Sequence, residues 1–238
     1  MEKIRINKFL ASLGVDSRRA IDKMIEEKKI LVNGKLAESG LKVDENDVII
    51  VDGKKIDSNK KEKKVYFMLN KPKRVLSTAK DERNRKTVVD LIDTEERIFP
   101  IGRLDYDTEG LLLLTNDGDI FNKVIHPRTE VYKTYYVEAK GNISVTKLNK
   151  LRRGISLEGK MTLPARAKVV DSTPEKTTLY FSIKEGRNRQ VRRMFEFIDH
   201  RVMYLKRVSL GELALDEKLA LGEYRPLTKK EIKYLNSL

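Results

Sequence analysis

Three carboxylates alternate along one short stretch of the sequence, at Asp105, Asp107 and Glu109. Four consecutive leucines, 111–114, follow directly. Such a run is typical of a strand buried on both faces. A polar loop that enters a buried strand has rigid support, so its side chains can be held in place for binding or catalysis. An ionised aspartate there could act as a nucleophile or stabilise positive charge.

Asp105 is the strongest candidate of the three, since Arg103 lies two residues before it and arginine clusters occur elsewhere in the chain. A nearby guanidinium favours the ionised form of a carboxyl group, so we predict a lowered pKa for Asp105. The residue types alone also allow a plainer interpretation, in which Asp105 only caps the turn into the strand.

Two metal-binding interpretations apply to the same stretch. Gly110 takes the sixth position of a calcium-loop pattern that begins at Asp105, but Asn116 stands where that pattern has a bidentate glutamate. The other interpretation is a magnesium-dependent nuclease that uses all three carboxylates. We predict no metal site.

The second candidate stretch is the arginine-rich segment after Ile183. Apolar residues at helical spacing predict a helix over 191–198, entered through Gly186. Arginine side chains and the backbone N–H groups of a helix N-terminus together bind phosphate, so the segment predicts a polyanion site. A solvated basic face is the plainer alternative. The candidate ligands are Arg187, Asn188, Arg189, Gln190 and Arg193.

Basic and aromatic residues alternate in a third stretch, the predicted strand over 131–139. Tyr135 and Tyr136 point to opposite faces of a strand, so one ring is expected in the core while the other could face a cleft. A ring in a cleft can stack on an unpaired base for about 1 to 3 kcal/mol. A core tyrosine is the commoner explanation of any single ring.

Positive charge dominates the composition. The 238 residues include 50 Lys+Arg and 36 Asp+Glu, a net charge of +14. This favours a polyanionic partner over an ordinary enzyme with a lysine-rich surface. The stretch 71–86 holds seven basic residues and two acidic ones, which suits a loop along a nucleic-acid backbone. Its first three cations, Lys71, Lys73 and Arg74, are candidate phosphate ligands.

Several classes of protein are excluded by what the sequence lacks. There is no cysteine, which excludes disulfides, thiol nucleophiles and cysteine-ligated zinc. His126 and His200 are the only histidines and lie far apart, which leaves little material for a Ser-His-Asp triad. Neither a secretion signal nor a membrane-spanning stretch is evident. We therefore expect a cytoplasmic protein without membrane contact.

The N-terminal residues predict a small domain of their own. Helical spacing over 4–13 and 18–28 predicts two helices, the second with Ser17 as N-cap. The sequence ILVNGK that follows is typical of a strand that enters an Asn-Gly turn. These elements predict a small α+β module over 1–58.

The rest of the chain predicts a larger domain. A lysine-rich run without a core pattern predicts a linker over 59–64. Residues 65–238 contain strand patterns separated by turns and short helices. We therefore predict an α+β fold, with a mixed, largely antiparallel β-sheet flanked by helices in the larger domain.

Ordered motifs over nearly the whole chain carry a family resemblance. They are NKPKRVLST (70–78), FPIGRLDYDTEGLLLLTNDGD (99–119), HPRTEVYKTYYV (126–137), IKEGRNRQVRRMFE (183–196) and LKRVSLGEL (205–213). With these motifs the chain resembles the RsuA-type ribosomal RNA pseudouridine synthases, most of all their RluB branch, which acts on 23S rRNA. The N-terminal module resembles an S4 RNA-binding domain, in which Arg18 and Arg19 would contact RNA.

The resemblance implies an activity and roles for single residues. The family converts uridine to pseudouridine in RNA without a cofactor or metal. It makes Asp105 the catalytic aspartate, Tyr135 the ring that stacks on the target base, and Arg192 the basic residue paired with Asp105. Arg103 and the cations proposed above would hold ribosomal RNA, in a single-stranded or loop region from which the target uridine is flipped out.

Three positions depart from the family pattern. Lys28 and Asp199 stand where glycine is usual, and Glu109 stands where a small residue is usual. None is a position to which the resemblance assigns catalysis. We expect a monomer. The alternative from another functional class is a non-catalytic rRNA-binding ribosome-assembly factor.

Overall fold

The computed structural model describes residues 3–58 and 63–238. The chain divides into two compact units, of which the first is Met1–Lys64 with Glu95–Arg97 and the second is Val65–Thr94 with Ile98–Leu238. Residues 59–62, which make up most of the predicted linker, lie outside the described part of the chain.

The first unit is an α+β module, as predicted. Its elements are β1 (Ile4–Arg5), α1 (Ile6–Ser12), α2 (Arg18–Glu26), β2 (Ile30–Val32), β3 (Lys35–Leu36), β4 (Lys42–Val43), β5 (Ile49–Val51) and β6 (Lys54–Lys55). Strand β1 pairs with β4, and the other four strands form an antiparallel sheet in the order β3-β2-β5-β6. Its core includes Leu10 of α1, Ile21 of α2 and Ile30 of β2, all fully buried.

Helix α2 begins and ends through local hydrogen bonds. The Ser17 hydroxyl accepts from the backbone N–H of Ala20 at 3.0 Å, which confirms Ser17 as the N-cap. The helix ends two residues before the predicted position, because Lys28 takes a left-handed backbone with φ of 58°. Lys29 N–H then bonds to the Met24 carbonyl, a turn that usually has glycine at the left-handed position. Lys28 therefore takes a backbone conformation that glycine usually adopts.

The second unit contains the remaining elements. They are β7 (Tyr66–Lys71), β8 (Phe99–Ile101), β9 (Glu109–Thr115), α3 (Gly118–Ile125), β10 (Lys133–Lys140), α4 (Val145–Arg153), β11 (Ser156–Leu157), β12 (Lys160–Met161), β13 (Arg166–Ser172), β14 (Lys176–Ile183), α5 (Gln190–Phe197), β15 (Val202–Leu210), β16 (Leu213–Ala214), β17 (Tyr224–Pro226) and α6 (Lys229–Ser237).

One nine-stranded sheet organises the second unit. Its strand order is β13-β14-β10-β15-β9-β7-β17, with β16 beside β15 and β8 beside β9. Strands β15 and β9 pair in parallel through Lys206 with Glu109 and Arg207 with Gly110. The other pairings of this sheet are antiparallel. The predicted mixed, largely antiparallel sheet is confirmed.

The sheet buries apolar residues on both faces. Leu112 and Leu114 of β9 belong to one core, which includes α4 and α5. Leu111 and Leu113 belong to a second core, which includes α3 and α6. Since successive residues of a strand point to opposite faces, the two cores lie on opposite sides of the sheet. The leucine run is thus buried on both faces, as predicted, and gives the preceding loop rigid support.

A close approach of two strands fixes the start of β9. Gly110 has φ of 104°, and a Cβ atom there would lie 2.2 Å from the carbonyl oxygen of Arg207. Only glycine fits this position without moving the backbone of β15. The loop before Gly110 is therefore tied to the centre of the sheet.

Candidate active site

The loop that carries Asp105 lies over a fully buried lysine. Lys71, the last residue of β7, donates from Nζ to the backbone carbonyls of Pro72, Asp105 and Thr108 at 3.0, 3.3 and 3.1 Å. Burial lowers the pKa of Lys71 to about 8, against the attraction of Asp105, Asp107 and Glu109. The prediction that Lys71 binds RNA is wrong, because its side chain is sealed from solvent.

Two further contacts hold the loop from the segment after β7. The Ser77 hydroxyl donates to the Leu104 carbonyl at 2.8 Å and accepts from the Leu104 N–H at 3.2 Å. The Arg74 N–H bonds to the Tyr106 carbonyl at 2.7 Å. The motif at 70–78 thus positions the backbone on either side of Asp105.

Asp105 opens onto a large cleft. The cleft has a volume of about 580 Å³, and its lining includes Arg83, Arg85, Arg103, Arg187 and Asn188. A small recess beside it joins Asp105 to the side chains of Tyr135, Ile183 and Leu205. The carboxylate therefore lies between an entrance that carries more basic than acidic side chains and a recess where Tyr135, Ile183 and Leu205 supply apolar contacts.

Burial dominates the electrostatics of Asp105. Removal of the carboxyl group from water raises its pKa above the ordinary aspartate value, and the attraction of Arg189, Arg192 and Arg103 does not offset this. Repulsion by Asp107 acts in the same direction as burial. The lowered pKa predicted from the neighbouring arginine is wrong, since the sequence shows nearby charges but not the loss of water.

Arg189, which precedes α5, and Arg192, within it, pair with Asp107. Arg192 Nη2 lies 3.2 Å from Asp107 Oδ2, and Arg189 Nη1 lies 3.1 Å from Asp107 Oδ1. Burial alone would raise the pKa of Asp107, but the hydrogen bond from Arg189 and the attraction of both arginines lower it overall. The predicted pairing of Arg192 with Asp105 is therefore corrected: Arg192 acts on Asp105 at longer range.

Arg192 is itself part of the framework. Its guanidinium is buried and donates to the carbonyls of Asp107 at 3.0 Å and Val202 at 3.3 Å. It also lies 3.5 Å from the hydroxyl of Thr108. Arg192 thus joins α5, β15 and the Asp105 loop.

The third carboxylate of the loop has a different partner again. Glu109 Oε2 accepts a hydrogen bond from the hydroxyl of Tyr204 at 2.6 Å, and this bond and burial raise the pKa of Tyr204. The three carboxylates therefore do not converge. Within residues 3–58 and 63–238, no three His, Cys, Asp or Glu side chains lie together as metal ligands. The calcium and nuclease interpretations gain no support from these positions.

The predicted polyanion ligands around α5 differ in their positions and contacts. Arg187 and Asn188 line the cleft, and Arg189 lines the recess beside Asp105. Gln190 is buried and donates to Glu185 at 2.7 Å, so its predicted RNA contact is replaced by a role in shaping the turn before the helix. Arg193 pairs with Glu158 at 2.7 Å.

The other predicted RNA ligands lie on the surface. Lys73 and Arg74 are exposed beside the Asp105 loop, in contrast to Lys71. Arg18 and Arg19 are exposed in the first turn of α2, in the first unit. These four side chains are accessible to a polyanion.

Tyr135 lies on the core side of β10. Its ring is 8% exposed and packs in the core that includes α5. The ring also lines the recess with Asp105. The prediction that Tyr135 and Tyr136 lie on opposite faces of the strand is confirmed. The prediction that one ring is buried and the other faces the cleft is wrong, because the ring of Tyr135 does both.

Comparisons with known proteins agree with this arrangement. A family model for RNA pseudouridylate synthases matches residues 65–197, and a model for the S4 domain matches residues 4–49. The chain belongs to the RNA pseudouridylate synthase family. Its second unit carries the synthase region, and its first unit carries the S4 region.

Relatives match over almost the full chain. A Bacillus subtilis protein, ribosomal large subunit pseudouridine synthase B, is 48% identical and covers 98% of this chain and 96% of its own. An uncharacterized RNA pseudouridine synthase of Aquifex aeolicus is 40% identical, over 99% and 94%. A pseudouridylate synthase crystal structure superposes with a TM-score of 0.72 at 32% identity, over 98% of this chain and 99% of that one. The predicted family and fold are confirmed.

Among the described residues, every helix is too short or too polar to span a membrane.

The sequence did not indicate that Lys71, Ser77 and Tyr204 support the site. The first two lie in the motif at 70–78, which was the one signal that could have indicated them. Tyr204 follows a bulge in the pairing of β10 with β15, and no sequence pattern showed its contact with Glu109.

Proposed function

We propose that this protein isomerises a uridine of large-subunit (23S) ribosomal RNA to pseudouridine, with Asp105 as the catalytic aspartate. The position of Asp105 carries the proposal. Asp105 lies on a loop that Lys71 and Ser77 hold in place, between a basic cleft and the ring of Tyr135. The name of the Bacillus subtilis relative supports the choice of ribosomal RNA.

The reaction breaks the N1–C1′ bond, turns the uracil and forms a C5–C1′ bond. Asp105 serves it in ionised form, either by attack at C1′ or by removal of the C2′ proton towards a glycal. The electrons of the broken bond pass to the uracil. Its C5 then forms the new bond to C1′ while the ester bond to Asp105 breaks, or while Asp105 returns the proton to C2′ of the glycal. The C5 proton leaves to solvent, and N1 takes up a proton. A single carboxylate suffices, so a second acid of the glycosidase kind is not required.

The recess beside Asp105 suits retention of the detached base. Tyr135, Ile183 and Leu205 offer it apolar contacts, and arginines line the same recess. Flipping a nucleotide out of a stacked strand costs a few kcal/mol. Stacking on Tyr135 and phosphate contacts to the arginines of the cleft offset this cost.

The domain roles follow the same proposal. Residues 1–58 act as the S4 RNA-binding domain, with Arg18 and Arg19 towards RNA. Residues 59–64 form the linker and residues 65–238 the catalytic domain. We propose a monomer that acts in the cytoplasm without a cofactor, on a single-stranded or loop region of the RNA.

Pseudouridine mapping tests the proposal. Purified protein is incubated with 23S and 16S rRNA transcripts, and pseudouridines are located by carbodiimide modification and primer extension. One modified uridine in 23S rRNA is expected. Binding of both transcripts without any pseudouridine would favour an assembly factor and overturn the proposal, whereas modification of 16S rRNA alone would overturn the choice of subunit.

A further inference from the structure

Three tyrosines form a row on the face of the sheet opposite Tyr135. The rings of Tyr136 and Tyr180 lie 5.9 Å apart, and those of Tyr136 and Tyr204 lie 6.1 Å apart, each pair edge to face. They come from three neighbouring strands, β14, β10 and β15. We call Tyr136, Tyr180 and Tyr204 the tyrosine row.

The row lies outside the apolar cores of the sheet. Leu179 and Phe181, on either side of Tyr180 in β14, are fully buried in the core with α4 and α5, so Tyr180 points the other way. Its side chain is 40% exposed. Tyr136 and Tyr204 are partly exposed. An aromatic surface of this kind is open to a partner.

Hydrogen bonds fix two of the rings. The Tyr204 hydroxyl donates to Glu109 at 2.6 Å, and the Tyr136 hydroxyl donates to Glu138 at 3.3 Å. Held rings lose little conformational entropy when a flat ligand stacks on them. Glu109, one of the departures from the family pattern, thus anchors one end of the row.

Three lysines lie around the row, which also contacts Glu109 and Glu138. Lys168 of β13 is the register partner of Tyr180, and Lys206 of β15 is the register partner of Tyr136. In the part of the chain that the structure describes, neither lysine forms an ion pair. At the other end, Lys73 Nζ lies 4.9 Å from the centre of the Tyr204 ring and 3.8 Å from Glu109 Oε1, with its side chain still exposed.

The combination of groups selects the class of partner. Rings stack on unpaired bases, and lysines spaced between them neutralise phosphates, which is how sheet surfaces hold single-stranded RNA. A duplex offers phosphates but keeps its bases stacked on one another. A negatively charged partner without bases would meet the lysines but would leave the rings unused.

We propose that the tyrosine row, with Lys73, Lys168 and Lys206, binds a single-stranded RNA segment next to the target site. Lys73 also lines a hollow with Asp107 and Arg192, which brings this surface to the Asp105 loop. The inference rests on the proposed function only in taking RNA as the partner. It adds a second contact surface, on the face of the sheet away from Tyr135.

A single tryptophan tests the surface directly, since the chain has none. Tyr180→Trp places the reporter in the row, and Val145→Trp places a control at the exposed start of α4, beyond the other face of the sheet. The probes are a 12-nucleotide oligouridylate, a blunt RNA duplex and polyglutamate. Saturable quenching of the Tyr180→Trp protein by the single strand alone is expected, with the fluorescence of the Val145→Trp protein unaffected. Equal quenching of both reporters, quenching by polyglutamate, or no quenching would overturn the proposal.

Affinity gives a second measurement. Tyr180→Ala and Lys168→Gln alter exposed side chains, so the fold is expected to persist. Each is expected to raise the Kd for the oligouridylate at least about fivefold, while Tyr180→Phe changes it less than twofold. Unchanged Kd values in both variants would contradict the proposal.

The two proposals fail in different ways. In the Tyr180→Trp protein that also carries Asp105→Asn, the quenching is expected to persist although turnover is lost. An unquenched reporter in the row together with normal pseudouridine formation would overturn the RNA surface only. A quenched reporter in a protein that never forms pseudouridine would overturn the proposed activity only.

Discussion

The ammonium group of Lys71 donates to the backbone carbonyl of Asp105 at 3.3 Å from beneath the loop. A second bond to the Thr108 carbonyl, at 3.1 Å, closes the same turn. A buried cation thus holds the backbone at Asp105 and leaves the carboxylate to face the cleft. The position of the proposed catalytic group depends on a side chain that no substrate touches.

Replacement of Lys71 tests this positioning role. Lys71→Met removes the donor beneath the loop, so the Asp105 carboxylate moves relative to the target nucleotide. Turnover is expected to fall about 100-fold, because a small misplacement of a catalytic group can slow a reaction by that factor. The Kd for RNA should stay within about twofold, since Lys71 does not reach the surface. Single-turnover rates measure the change in turnover, and filter binding measures the Kd.

Lys133 provides the matched control for Lys71. It is partly buried, and the loss of water lowers its pKa to about 8 as well, but it donates to the carbonyls of Val131 and Lys184. Lys133→Met should therefore keep most of the turnover. An equal loss of turnover in both variants would show that these two lysines matter only for general stability.

The pH dependence of the rate follows from Asp105 and Lys71. Burial raises the pKa of Asp105, so the active carboxylate should form at higher pH than an ordinary aspartate, giving a rising limb on the acid side. Lys71 has a pKa of about 8 and loses a donor proton above it, so the rate should fall there. Single-turnover rates from about pH 4 to pH 10 measure both limbs. A rate that stays constant across the alkaline half of that range would contradict the role of Lys71.

The two arginines of Asp107 should differ in their effect on stability. Arg192 is buried and holds two backbone carbonyls besides the carboxylate, so Arg192→Gln should lower the free energy of unfolding by about 2 kcal/mol. Arg189 is exposed, so Arg189→Gln should cost less than about 1 kcal/mol. Urea denaturation of the two variants compares them. Equal losses would contradict the framework role of Arg192.

Substitutions of Tyr135 separate stacking from packing. Tyr135→Phe keeps the ring and should leave the KM for RNA nearly unchanged. Tyr135→Leu fills part of the core but offers no ring, so it should weaken substrate engagement by about 1 to 3 kcal/mol. The KM for an rRNA fragment, with thermal unfolding as a check on folding, measures the difference. Equal KM values in the two variants would remove the stacking role.

Much of the fold could be predicted from the sequence, because buried apolar residues recur at regular spacing along strands and helices. The pattern over 131–139 and the leucine run predicted strands that the structure confirms as β10 and β9, and the apolar stripe after Gln190 predicted α5. These patterns report which side of an element faces a core, and a single element is enough to show them. The ends of α1 and α2 were less accurate, since they depend on local turns.

The electrostatics of the site were less readable, because they depend on contacts between distant segments. Lys71 looked like a surface cation in a basic stretch, and only the fold shows that the loop covers it. The carboxylates of Asp105 and Asp107 lie two residues apart, so the sequence could not tell which one meets Arg192. The tyrosine row likewise exists only through the register of three strands.

The most direct test compares the wild type with Asp105→Asn, which keeps the size of the side chain but removes its negative charge. The RNA carries tritium at C5 of uridine, and release of the label to water reports formation of the new C5–C1′ bond. The wild type should release label stoichiometrically from the target uridine. Asp105→Asn should bind the same RNA with a similar Kd and release none, and release at the wild-type rate would contradict a catalytic role for Asp105.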